Sequence, residues 1–150
     1  MDAAFRNGEA DYVQQQGPFP QQLVADGVGN VVAKVGEQIG LCGFSSLAST
    51  TDWLKTDMAH AFTRAYKKTR VYMNDESATE IARAQQSYFP EIDPQVLTDC
   101  IATYQKLGNW SPHIDITDEA YQATVDIYQY AGGLKNRIPY QDVCCKPPQT

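Results

Sequence analysis

Between Asp57 and Gly133 the chain carries four apolar stripes at helical spacing, each bracketed by its own start and stop signals. Asp57 is placed to cap a helix running to about Asn74, with Met58, Ala61, Phe62, Ala65, Tyr66, Thr69, Tyr72 and Met73 on one face. Ser77 followed by Glu80 is a capping box for a second helix, which Phe89-Pro90 ends because the residue before proline avoids the helical region. Asp93 with Pro94 gives an N-cap and a first-turn proline, and Val96, Leu97, Cys100, Ile101, Tyr104 and Leu107 align before Gly108. Thr117, with Asp118 and Glu119 in the first turn, opens a fourth helix that directs Tyr121, Val125, Tyr128 and Ala131 inward and ends at Gly132-Gly133. All four stripes read as core faces rather than as cofactor sites.

The first forty-eight residues read differently. Asp2 to Asn7, closed by Gly8, looks like the last turns of a helix, and Ala10 to Gln14 is a short strand candidate. Gly17-Pro18 marks a turn, followed by a brief helix from Pro18 to Asp26 that stops at Gly27. Asn30 to Val35 is β-branched and strand-like, and Gly40 to Leu47 is a second extended segment. The predicted class is therefore α/β: a few N-terminal strands followed by four helices. Strands need pairing partners, and the first helix is already under way at Met1, so the sequence reads as the later part of a larger fold. Residues 144–150 read as a loose tail.

Charge and motifs narrow the function. A net charge of −6 and a pI near 4.7 oppose binding to phosphate backbones, so no nucleic-acid partner is expected. Arg64, Lys67, Lys68 and Arg70 form the one basic cluster, read as a solvated helix face. The spacings of Cys42, Cys100, Cys144 and Cys145 assign neither a metal site nor a disulfide, and His60 and His113 belong to no paired ligand motif. The chain has no G-x-S-x-G, H-E-x-x-H, P-loop or G-x-G-x-x-G. Neither catalytic residues nor a cofactor or metal is expected. Met1-Asp2-Ala3 leads into no basic and then apolar region, so no signal peptide is read, and no apolar run approaches the ~20 residues needed to span a bilayer.

Several segments, in order, carry a family resemblance. Ala4-Phe5 with Gly8, then Asp11-Tyr12-Val13 before Gly17-Pro18, resembles the crossing segment of ABC-importer solute-binding proteins for aliphatic sulfonates, taurine, nitrate and thiamine pyrimidine precursors. Gly27-x-Gly29-Asn30-Val31-Val32-Ala33, with Gly36 and Gly40, is similar to that family's strand and glycine pair. Phe44-Ser45-Ser46-Leu47-Ala48 resembles its second crossing strand. Ala61-Phe62-Thr63-Arg64-Ala65, Tyr88-Phe89-Pro90 with Asp93-Pro94, Leu107-Gly108-x-Trp110, and Ala131-Gly132-Gly133-Leu134-Lys135 before Pro139-Tyr140 continue the match in register to about Val143. Two departures stand out: Gly17, where relatives often carry an acidic residue, and Leu41-Cys42-Gly43, where they often carry prolines.

The resemblance implies the carboxy-terminal half, residues 1–143, of a bilobed Venus-flytrap (periplasmic-binding-protein, class II) fold. It implies a non-enzymatic component of an importer for a small organic nutrient. Asp11, Tyr12, Phe44, Ser45 and Ser46 would touch the ligand, the rings by stacking and the hydroxyls by donating to an anionic group. Asp11 has an alternative role in orienting the hinge. Implied partners are a small-molecule ligand, an ABC membrane subunit, and a second chain supplying the missing half or a homodimer. Relatives act in the periplasm or outside the cell. Two alternatives accompany this reading: a thiamine-pyrimidine biosynthetic enzyme of the same fold, which would bind pyridoxal phosphate, and an interaction module that dimerises through an unpaired strand edge.

Overall fold

A computed structural model of the chain describes residues 1–148, and every regular element among them is helical. In order these are α1 (Asp2–Arg6), α2 (Phe19–Ala25), α3 (Val35–Ile39), a 3-10 turn (Trp53–Lys55), α4 (Asp57–Asp75), α5 (Ala78–Gln85), a 3-10 turn (Gln86–Tyr88), α6 (Pro94–Lys106), α7 (Asp118–Tyr130) and α8 (Tyr140–Val143).

The expected α/β class is overturned, because no strand or sheet occurs among the described residues. Ala10 to Gln14, Asn30 to Ala33 and Gly40 to Leu47 run without regular structure, and Val35 opens α3 instead of closing a strand. A strand is defined by its ladder, and β-branched composition cannot supply one when no second strand lies alongside. Val31 and Val32 are 49% and 77% exposed, so the pattern read as β-like is not matched by burial. Residues 144–148 lack regular structure; Gln149 and Thr150, the end of the expected tail, lie outside the described residues.

Local signals governed the helix ends. Ser77, Asp93 and Thr117 each accept a backbone N–H through the side chain, from Glu80, Gln95 and Ala120. Gly8, Gly27, Gly108 and Gly132 adopt the left-handed conformation that closes a helix. The cap expected from Asp57 is displaced by one residue: Thr56 Oγ1 accepts from Ala59 N–H, and Asp57 is the first helical residue.

The chain divides into two compact units. The first comprises Met1–Lys34 and Glu76–Gly108. Its core is Leu23 of α2, Ile81 and Ala82 of α5, and Val96, Leu97, Cys100 and Ile101 of α6, with α5 and α6 forming the main packed pair. Of the predicted α6 stripe, Val96, Leu97, Cys100 and Ile101 are buried and Tyr104 and Leu107 half-buried. Arg6 pairs with Asp2 and Asp26, both at 2.8 Å, tying α1 to the end of α2.

The second unit comprises Val35–Asp75 and the chain from Asn109 onward. Its buried residues include Ala59, Thr63 and Met73 of α4, and Ala120 and Val125 of α7. Two faces depart from expectation. On α4 the buried stripe runs through Ala59, Thr63 and Met73, with Tyr66 and Arg70 half-buried, while Met58, Phe62, Ala65, Thr69 and Tyr72 stay exposed. On α7, Tyr121 is half-buried, but Tyr128 and Ala131 are exposed. Composition sets how apolar a face is; which face is covered depends on what packs against it.

Candidate functional site

Both segments that the sequence singles out are pinned to a helix by a glycine. In the first unit, Gly17 N–H donates to Tyr104 Oη at 3.0 Å. A Cβ at position 17 would lie 2.5 Å from Cys100 Sγ and 3.0 Å from Tyr104 Oη. Any side chain at position 17 would therefore force Cys100 or the segment itself to shift. Burial pushes the Cys100 thiol and the Tyr104 hydroxyl above their ordinary pKa values, the Gly17 hydrogen bond opposing the rise at Tyr104, and Cys100 is an unreactive core residue. Asp11 and Tyr12 precede this anchor on an irregular segment and are exposed, Tyr12 by 79%.

The second unit repeats the device. Gly43 N–H donates to Thr124 Oγ1 at 2.8 Å and to the Ala120 carbonyl at 3.2 Å, and a Cβ there would meet Ile116 Cγ2 at 3.0 Å. Phe44, Ser45 and Ser46 follow directly and are exposed, Phe44 by 63%. Asp11 and Tyr12 thus fall in one unit and Phe44, Ser45 and Ser46 in the other.

A groove of about 490 Å³ in the second unit went unread in the sequence. Lys67 and Val71 of α4 form one wall, residues 112–115 another, and Lys146 and Pro147 a third. Val71, Pro112, Ile114 and Pro147 are apolar, whereas Lys67, Lys146 and His113 bring donors and Asp115 is the one carboxylate. His113 Nδ1 lies 3.3 Å from Asp115 Oδ1 and 3.1 Å from the Asp115 carbonyl, which orients the ring and leaves Nε2 for a ligand. Asn74 holds the adjoining loop by donating to the Arg70 carbonyl at 2.7 Å and the Trp110 carbonyl at 2.8 Å.

Farther along, Tyr140 Oη donates to the Ile116 carbonyl at 2.6 Å and Tyr121 Oη to the Ile138 carbonyl at 2.7 Å, with the two rings edge to face at 5.6 Å. Arg137 is held by Asp126, Gln122 and Gln129. Apolar walls with a few fixed donors are the usual make-up of a small-ligand site, and here the donors favour an anion. No spacing announces the groove, because Lys67, His113 and Lys146 lie in three distant segments.

All four cysteines are free, and burial, with Cys145 beside it, raises the Cys144 thiol. Among the described residues no group of three His, Cys, Asp or Glu is placed to hold a metal ion. None of the described helices is long and apolar enough to cross a membrane.

Neither a family model nor a solved structure matches the chain. Over 145 residues, 95% of its length, it is 29% identical to a Bacillus subtilis (strain 168) protein named "Putative binding protein YtlA". The chain spans 43% of that relative's length.

Proposed function

We propose that this chain is the carboxy-terminal part, residues 1–143, of a binding protein that captures a small nutrient for an ABC importer. The carrying observation is the similarity along 95% of the chain to a protein whose name states binding. In this reading the ligand is a sulfonate, nitrate or a thiamine pyrimidine precursor, handed to a membrane subunit from outside the cytoplasmic membrane. No covalent step is involved.

The groove supports a ligand with an acceptor group, because Lys146 and the His113 ring line it beside apolar walls. Asp11, Tyr12, Phe44, Ser45 and Ser46 remain ligand contacts in this proposal, and the exposure of both rings leaves them available for stacking. The test is isothermal titration of the chain with taurine, methanesulfonate and nitrate, repeated on Lys146→Gln and on Tyr12→Ala with Phe44→Ala. Binding weakened about tenfold or more by either change supports the reading and says which residues hold the ligand. Binding that ignores both changes contradicts the site.

A further inference from the structure

We infer that Cys144 and Cys145 form a dithiol that a low-molecular-weight disulfide oxidises to a bridge between the two sulfurs, and that the bridge withdraws Lys146 and Pro147 from the groove. The oxidising surroundings this needs rest on the reading that the chain works outside the cytoplasmic membrane.

The pair stands between a fixed element and a stiff one. Upstream, α8 is held where Tyr140 Oη donates to the Ile116 carbonyl at 2.6 Å, and Cys144 N–H donates to the Tyr140 carbonyl at 2.8 Å. Downstream comes Lys146-Pro147-Pro148. Proline fixes its own φ and keeps the residue before it extended, so Lys146 and Pro147 move as one piece. A rotation at the cysteines therefore carries this wall of the groove with it instead of being taken up inside it.

The bridge demands such a rotation. Cys144 is extended, with φ −100° and ψ 131°. Extended backbone sends successive side chains to opposite sides, and the exposures agree: Cys144 is half-buried and Cys145 exposed. A disulfide requires Cβ atoms about 3.5–4.5 Å apart, with the two side chains turned toward one another. Adjacent cysteines meet that requirement only when ψ of Cys144 or φ of Cys145 leaves the extended form. Everything from Lys146 onward is then re-aimed, so the open and the bridged pair cannot hold the Lys146 ammonium in one position. The open pair is the state that completes the groove.

Exposure sets the order of the steps, since Cys145 alone of the four cysteines is exposed. Its thiolate attacks one sulfur of the small disulfide, expels a thiol and is left as a mixed disulfide. The Cys144 thiolate, which burial makes scarcer, then attacks the Cys145 sulfur and expels the second thiol. Two cysteine thiols lose two electrons and two protons, and the reagent's disulfide takes up both as two thiols.

The experiment exposes the purified chain to oxidised glutathione and reads it in two ways. Mass spectrometry of a digest is expected to find the peptide holding Cys144 and Cys145 lighter by two hydrogens. Methyl NMR is expected to show the Val71 and Ile114 signals, both from the groove lining, shifting on oxidation and returning on reduction, while Ile81 in the core of the first unit stays put. Cys145→Ser is expected to abolish the shift, and Cys144→Ser to stop at a glutathione adduct on Cys145. Three results overturn the inference: no loss of the two hydrogens, a bridge from either cysteine to Cys42, or a bridged pair that leaves Val71 and Ile114 unmoved. Titration of the open and the bridged chain with taurine, methanesulfonate and nitrate keeps the two proposals apart. Binding that weakens on bridging supports both. A bridge with its methyl shifts but no binding by either form leaves the dithiol standing and removes the ligand reading; binding by a chain that forms no bridge does the reverse.

Discussion

Replacing Gly17 with alanine tests how the Asp11–Gly17 segment is held. Gly17 is not among the left-handed glycines, so a methyl group imposes no backbone penalty and its cost is steric. The added Cβ would sit 2.5 Å from Cys100 Sγ, about 1 Å short of an ordinary contact, and 3.0 Å from Tyr104 Oη. Cys100 cannot swing aside easily, since it is 5% exposed among Val96, Leu97 and Ile101 on the packed face of α6. Overpacking of this kind costs about 1–3 kcal/mol. If the segment backs away instead, the Gly17 N–H to Tyr104 bond is lost, at about 0.5–1.5 kcal/mol. By either route the loss is about 1–3 kcal/mol, a sizeable share of the stability of a domain this size. Urea denaturation followed by circular dichroism measures it. Cys100→Ala removes the closest atom, so in that background Gly17→Ala should cost at least about 1 kcal/mol less, a coupling a double-mutant cycle reads directly. Equal losses in the two backgrounds, or no loss in either, would refute the steric reasoning.

Three further outcomes are expected. Ile81→Ala, at a side chain with no exposed surface, should destabilise the first unit by about 2–5 kcal/mol, read as a lower urea midpoint. Thr117→Ala removes the acceptor for Ala120 N–H and should cost about 1 kcal/mol at the start of α7, seen as faster amide exchange in its first turn. The Asp26 carboxyl is held below its ordinary pKa by the Gln22 hydrogen bond and then by Arg6, so its stabilisation is full above the unfolded value near ~3.9 and is lost as pH falls through the folded value. An acid titration should therefore show stability dropping below about pH 4, and Asp26→Asn should flatten that part of the curve.

What the sequence made legible was local chemistry. Ser77, Asp93 and Thr117 act within one helical turn, so their identity announces the helix starts wherever the rest of the chain goes. The α6 stripe was readable because it is apolar on one side only and that side is buried. Strand formation at Val31 and Val32 depended on a partner that composition cannot report, and no ladder forms there among the described residues. On α4, Thr63 is buried while Phe62 next to it stays nearly half exposed, so the most apolar face was not the one its own unit covers. Gly17 and Gly43 were visible as turn residues, but their close approaches to Cys100, Tyr104 and Ile116 span more than seventy residues of sequence and only the fold brings them together. Lys67, His113 and Lys146 converge on one groove for the same reason.

The most direct test of the binding role is a thermal-midpoint panel on the purified chain, with taurine, methanesulfonate, nitrate and a thiamine pyrimidine precursor set against neutral and cationic compounds of similar size. A ligand bound only by the native state stabilises it by about 2.7 kcal/mol at a hundredfold excess over its Kd. For a chain of this length that raises the midpoint by roughly 5–11 °C. The account predicts a rise of that kind for at least one of these four ligands and none for the cationic compounds. A panel in which none of the four moves the midpoint, or the cationic compounds alone do, would contradict it.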